Sequence, residues 1–249
     1  MAILPCTKEI IERTEKLTGK PVLITEDRSL QVISRIETAR GPAPMHILRY
    51  KPLSGGIPDY FICFQCGFVI RLYENPPDQR FDFAASPEAS VRMESLLRGH
   101  PGVSQLKDML LNGLMTQLRS VPIGLRIDDW LFSEYTELRL QQVEGAKVQL
   151  RDNSRALSPE IKRMIPQKVF RPNAAMNAAF AAYWAESLSD SSITLPYKSS
   201  GLLPQGEALI RIFEKVGSSP TEDRRLVDSW AEELGLSGWY RWVPHRTDD

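Results

Sequence analysis

Cysteine and histidine are both scarce: three of each occur in 249 residues. Three cysteines, an odd number in a chain this long, do not make the disulfide framework of a small secreted domain, so reduced thiols and a cytoplasmic location are expected. Charge of neither sign is in surplus, since 31 Lys plus Arg balance 31 Asp plus Glu. That removes the basic excess by which nucleic-acid binders usually announce themselves, although a local basic face is still allowed. Long apolar runs are missing too. The longest, Tyr60 to Ile70, is broken by Gln65 and is too short to cross a bilayer, so no membrane segment is expected. Met1 to Cys6 lack a positive start followed by an apolar core, and no secretory signal is expected there. There is no G-x-S-x-G, no internal repeat and no low-complexity tract. Ser54-Gly55-Gly56 is a turn without the Lys-Ser/Thr of a phosphate loop.

What is present is an ordinary globular composition, 42% hydrophobic and 25% charged. Lys8 to Leu17 carries apolar residues at helical spacing, stopped by Gly19 and Pro21. Three short strand signals follow, in Pro21 to Thr25, Leu30 to Ile36 and Met45 to Tyr50. Asp59 is placed to cap a helix through Phe61, Phe64, Phe68 and Leu72, apolar on nearly every side and therefore expected to be buried. Ser86-Pro87 opens a further helix towards Arg98. Beyond it the patterns are helical: Ser104 to Leu118, a segment capped by Asp128, a start at Ser158-Pro159, an alanine-rich helix from Asn173, then Gln205 to Val216 and Ser219 to Leu234. Trp239, Tyr240 and Trp242 are expected to dock the tail onto the core. The fold class is therefore α+β: a small N-terminal sheet packed on a buried helix, followed by a mainly helical C-terminal part. A composition shift near residues 99 to 103 divides residues 1–100 from 101–249.

The order of three strands, buried helix and second helix resembles the core of zincin-like metallopeptidase domains of the ImmA/IrrE type. In that family the buried helix carries H-E-x-x-H, whose histidines reach one zinc while the glutamate acts as general base. The corresponding stretch here reads Phe64-Gln65-Cys66-Gly67-Phe68. Phenylalanine has no lone pair for zinc, and glutamine accepts no proton near neutral pH. The resemblance also implies an acidic third ligand on the next helix, where Glu88 or Glu94 stands at a plausible distance. With both histidines replaced, it implies a relic core without peptidase chemistry, without metal and without cofactor.

Other constellations are weaker. Cys63-Phe-Gln-Cys66 is a lone C-x-x-C, and a mixed metal site would have to add His46. Its apolar neighbours read as buried, inert thiols. Neither His100 nor His245 is placed as the partner of a serine nucleophile. Asp128, Asp129, Glu134 and Glu137, with Lys147 beyond them, read as a helix start and its solvated face rather than a magnesium site. Arg151, Arg155, Lys162, Arg163, Lys168 and Arg171 form a mildly basic stretch suited to an acidic protein surface or to phosphates. The leading expectation is a non-catalytic interaction or regulatory protein whose partner is another protein. Two alternatives are an enzyme with a pocket near His46, Cys63 and Glu88, and a nucleic-acid-associated component using residues 151–171.

Overall fold

The computed structural model describes residues 3–30, 32–52, 58–98 and 103–245. Its class is α+β, with a small N-terminal sheet and a mostly helical C-terminal part. The chain divides into two compact units, each discontinuous in sequence. The first comprises residues 1–81, 126–145 and 244–249; the second comprises 82–125 and 146–243. This differs from the single cut near residue 100 that composition suggests, because two helices each contribute one end to either unit. Residues 99–102, and with them His100, lie outside the described residues, as does Ser54-Gly55-Gly56.

In the first unit, α1 (Pro5–Thr18) ends where Gly19 adopts φ +68° and returns its amide to the Glu15 carbonyl at 2.8 Å. Glycine suits that left-handed cap because it has no Cβ to clash. Strands β1 (Val22–Glu26), β2 (Ser34–Glu37) and β3 (His46–Tyr50) form one sheet in the order β1-β3-β2. β1 runs parallel to β3 with Val22 opposite His46, and β2 runs antiparallel to β3 with Ile36 opposite Leu48. Helix α2 (Asp59–Tyr73) packs against α1, β2 and β3. Its inward face carries Ile62, Cys63, Cys66, Val69 and Ile70, buried as are Ile10 of α1 and Leu48 of β3.

Asp59 does not cap its own helix. Pro58 holds the cap position, and Asp59 sits buried in the first turn, accepting from the Leu4 amide at 2.8 Å and the Thr7 hydroxyl at 2.7 Å. The carboxylate thus ties the start of α1 to the start of α2. Residues 126–145 also pack in this unit: the Tyr60 amide donates to Gln141 Oε1 at 3.1 Å, and Arg13 lies over the Trp130 ring.

Helix α3 (Pro87–Leu96) begins as its sequence indicates, with Ser86 Oγ accepting from the Ala89 amide at 3.0 Å and Pro87 in the first turn. Helix α4 runs unbroken from Val103 to Glu134 through Pro122, so the expected separate helix capped by Asp128 does not exist. Helix α5 (Arg139–Arg155) was not legible in the pattern, its moment being weak and its surface polar. Helix α6 (Pro159–Met164) starts on a Ser158 cap. Helix α7 (Gln167–Ser187) starts six positions before Asn173 and contains Pro172. Short α8 (Leu195–Ser199) and α9 (Leu203–Lys215) follow, and α7 and α9 are closely packed. After α10 (Asp223–Glu233), Gly235 at φ +67° turns the chain. A two-stranded sheet, β4 (Phe81–Ala85) with β5 (Tyr240–Pro244), had no counterpart in the sequence reading.

The aromatic tail docks as expected. Tyr240 OH and Trp242 Nε1 both donate to Asp228 Oδ1, at 2.6 and 2.7 Å, and Phe83 stacks on Tyr240 at 4.5 Å. Among the described residues, no helix is long and apolar enough to cross a membrane.

Candidate functional site

Positions 64, 65 and 68 lie half-buried on α2. Phe64 and Phe68, one helical turn apart, meet edge to face with centroids 5.3 Å apart, and Tyr60 extends the row at 5.8 Å from Phe64. Gln65 donates its amide to the Ser34 carbonyl at 3.3 Å, bracing α2 against β2. Phe64 and Phe68 are half-buried rather than buried as the sequence suggests, because Cys63, Cys66 and Gly67 take the inner face. Gly67 is required there: a Cβ would lie 2.6 Å from Ile127 Cγ2. Glu88 lies in the exposed first turn of α3 and belongs to the second unit, as does Glu94.

The two α2 thiols are packing groups. Both are 0% exposed. Cys63 lies 3.6 Å from Thr7 Oγ1. Burial pushes the Cys63 thiol far up and the Cys66 thiol up to about 12, against a small opposing pull from hydrogen bonds to Thr7 and Thr14 respectively. Thiols so reluctant to ionise are poor nucleophiles near neutral pH. Among the described residues, no three His, Cys, Asp or Glu side chains converge as a metal ion requires.

His46 is fully buried in β3, and its Nδ1 accepts from the Ala39 amide at 3.0 Å. The neutral ring therefore carries its proton on Nε2, which has no partner among the described residues. Burial first, then the Lys20 charge, push its pKa below the ordinary histidine value, while Glu15 pulls weakly the other way. Tyr73 presents an edge-on ring to His46 at 6.4 Å and to His245 at 5.7 Å, its hydroxyl 3.4 Å from His245 Nε2. The Arg80 guanidinium covers Tyr73 at 4.5 Å. This His-Tyr-His row joins residues nearly 200 positions apart, and nothing local in the sequence marks His245 as a member. With its lone pair committed to a backbone amide, His46 takes no proton from a hydroxyl or thiol. The row works as core packing.

Of the acidic group, Asp129, Glu134 and Glu137 are exposed as expected, and Lys147 belongs to the second unit. Asp128 is the exception: it is 2% exposed and accepts from Tyr60 OH at 2.7 Å and Gln142 Nε2 at 3.1 Å. Burial, with Asp129 adding to it, raises its pKa to about 7 against the pull of those two bonds.

The basic stretch is divided among three helices. Arg151 and Arg155 are exposed on α5, and Arg155 pairs with Asp152 at 2.9 Å. Lys162 and Arg163 end α6, where Arg163 reaches Glu160 at 3.8 Å. Lys168 and Arg171 are exposed in the first turns of α7. No family model, curated protein or solved structure matches the chain.

Proposed function

We propose that the chain is a non-catalytic interaction or regulatory protein built on a degenerate metallopeptidase-like core. The observation that carries this reading is the use made of positions 64, 65 and 68. Two of them hold an aromatic edge-to-face contact, and the third holds a side-chain bond to the neighbouring strand. A metalloprotease needs two imidazoles and a carboxylate at those positions, facing water and substrate. Phenylalanine and glutamine supply none of that chemistry, and here they brace the helix. The three cysteines, all buried and free, fit a reducing cytoplasmic setting. The partner is another protein.

Incubated with an unfolded protein substrate and added zinc, the chain is expected to release no peptides above the blank. The same result is expected of Gln65→Ala. Cleavage by the parent chain that disappears in Gln65→Ala would overturn the reading, because a packing amide has no part in hydrolysis.

A further inference from the structure

Within the second unit four cations of the basic stretch, Lys162, Arg163, Lys168 and Arg171, lie along a trough. Two hollows adjoin, with Leu96 and Gln167 lining both. The larger, about 1030 Å³, carries Arg92, Lys168 and Arg171; the smaller, about 690 Å³, carries Lys162 and Arg163. Among the described residues, no carboxylate lines either hollow. Among the described residues Arg92, Lys162, Lys168 and Arg171 have no acid within ion-pair distance, whereas Arg163 reaches only Glu160. Arg92 was not part of the sequence reading, since a lone arginine on an exposed α3 face gives no local signal.

The same place receives the start of α7. Pro166 provides no side-chain cap, and among the described residues the Gln167 and Lys168 amides donate to nothing. A 21-residue helix ending in free N–H groups adds a positive partial charge to five cations. Like charges collected without counter-charge repel one another, and an anion laid along them relieves that cost.

The character of the anion follows from what lies between the cations. Leu96, Met164, Ile165 and Leu234 line the same hollows as the cations, and Met164 is 65% exposed. A nucleic-acid strand would want an open aromatic face for its bases. Trp239, which lines the larger hollow, is only 5% exposed and offers no such platform. Cations and aliphatic side chains lining one trough instead match a peptide that carries both carboxylates and apolar residues.

We infer that this trough binds an extended acidic segment of a partner protein. Its carboxylates meet Arg92, Lys168, Arg171 and the free amides of α7, while its apolar side chains settle on Leu96, Met164 and Ile165. The inference rests on the interaction-protein reading above and names the partner's class. Its failure would leave the question of hydrolysis untouched, so the two are separable.

The test is selection of a random dodecapeptide display library on the full chain, with the recovered peptides then titrated by fluorescence polarisation. Recovered peptides are expected to be rich in Asp and Glu interspersed with Leu, Ile, Val or Met. They should lose at least about tenfold in affinity when Arg92→Glu, Lys168→Glu and Arg171→Glu are combined, and weaken as salt rises. All three side chains are exposed, so the triple variant should keep the parent circular dichroism and melting curve. The control variant Arg151→Glu/Arg155→Glu, altered on α5 outside the trough, should bind as the parent does. Recovery of no binders, peptides without acidic enrichment, or equal affinity for the folded triple variant would each overturn the proposal. So would a single-stranded oligonucleotide that binds more tightly than the peptides and loses its binding in the triple variant.

Discussion

Gly206→Ala should destabilise the second unit by about 2 kcal/mol or more, even though alanine is the better helix former by up to about 1 kcal/mol. Gly206 lies in α9 against α7. A Cβ added there would stand 2.7 Å from both the backbone carbon and the Cβ of Ala178, and 2.8 Å from the Ala179 nitrogen. Backbone cannot move aside as the end of a side chain can, so the two helices must separate. The alanines that permit the close approach, Ala174, Ala175, Ala178, Ala179 and Ala181, are all buried. Separation therefore opens a buried, closely packed seam between the two helices. Gly113 is the internal comparison. It lies within α4 with nothing inside 4 Å of an added Cβ, so Gly113→Ala should be neutral or stabilising. Denaturant unfolding followed by tryptophan fluorescence measures both, since Trp184 and Trp230 are fully buried. Equal midpoints for the two variants would contradict the packing argument.

Asp128 should make the protein less stable as pH rises through neutrality. Its carboxyl titrates near 3.8 when unfolded and near 7 when folded, chiefly because burial penalises the charged form. Between those values the native chain keeps a proton that the unfolded chain has released. Stability then falls with increasing pH, because the unfolded state binds fewer protons. The contribution is intact below about pH 4 and gone above pH 7, a difference on the order of 4 kcal/mol. Asp128→Asn keeps an oxygen acceptor for Tyr60 and Gln142 without the ionisation. The two proteins should be alike in acid, and the variant should be the more stable by a few kcal/mol at pH 8. His46 acts in the opposite sense: its depressed pKa means that stability drops as pH falls below about 6.5. That slope is common to both proteins and cancels in their difference. A difference that stays flat from pH 4 to 8 would show that Asp128 is not held as argued.

Much of the architecture was legible wherever a local signal decides the backbone. Ser86-Pro87 and Ser158-Pro159 open helices, Gly19 and Gly235 close them, and each works through one cap that the sequence spells out. The alanine-rich pattern from Asn173 was legible as a helix, and its small side chains let α7 pack closely on α9. What escaped was non-local. Asp128 looks like a cap because an acid before an apolar run often is one, but α4 passes straight through it and buries it under Tyr60. β4 and β5 lie about 155 positions apart, and their pairing leaves no trace in either segment. On α2, the chemistry of positions 64, 65 and 68 was plain in the side chains alone, but their half-exposure and the Gln65–Ser34 bond were not. Glu88, placed by family resemblance as a companion to that helix, stands in the other unit. The trough shows the same division: Lys162, Arg163, Lys168 and Arg171 stood out as a charge run, whereas Arg92 joins them only through the fold.

Zinc content puts the greatest strain on this account. After dialysis of the protein against buffered zinc at neutral pH, elemental analysis is expected to find only a trace of metal per chain, unchanged by Cys63→Ser or His46→Asn. The expectation rests on phenylalanines at positions 64 and 68 of α2, on a His46 lone pair that accepts from Ala39, and on the absence, among the described residues, of any three converging His, Cys, Asp or Glu side chains. One tightly held zinc per chain, lost on substituting any of Cys63, Cys66 or His46, would contradict it.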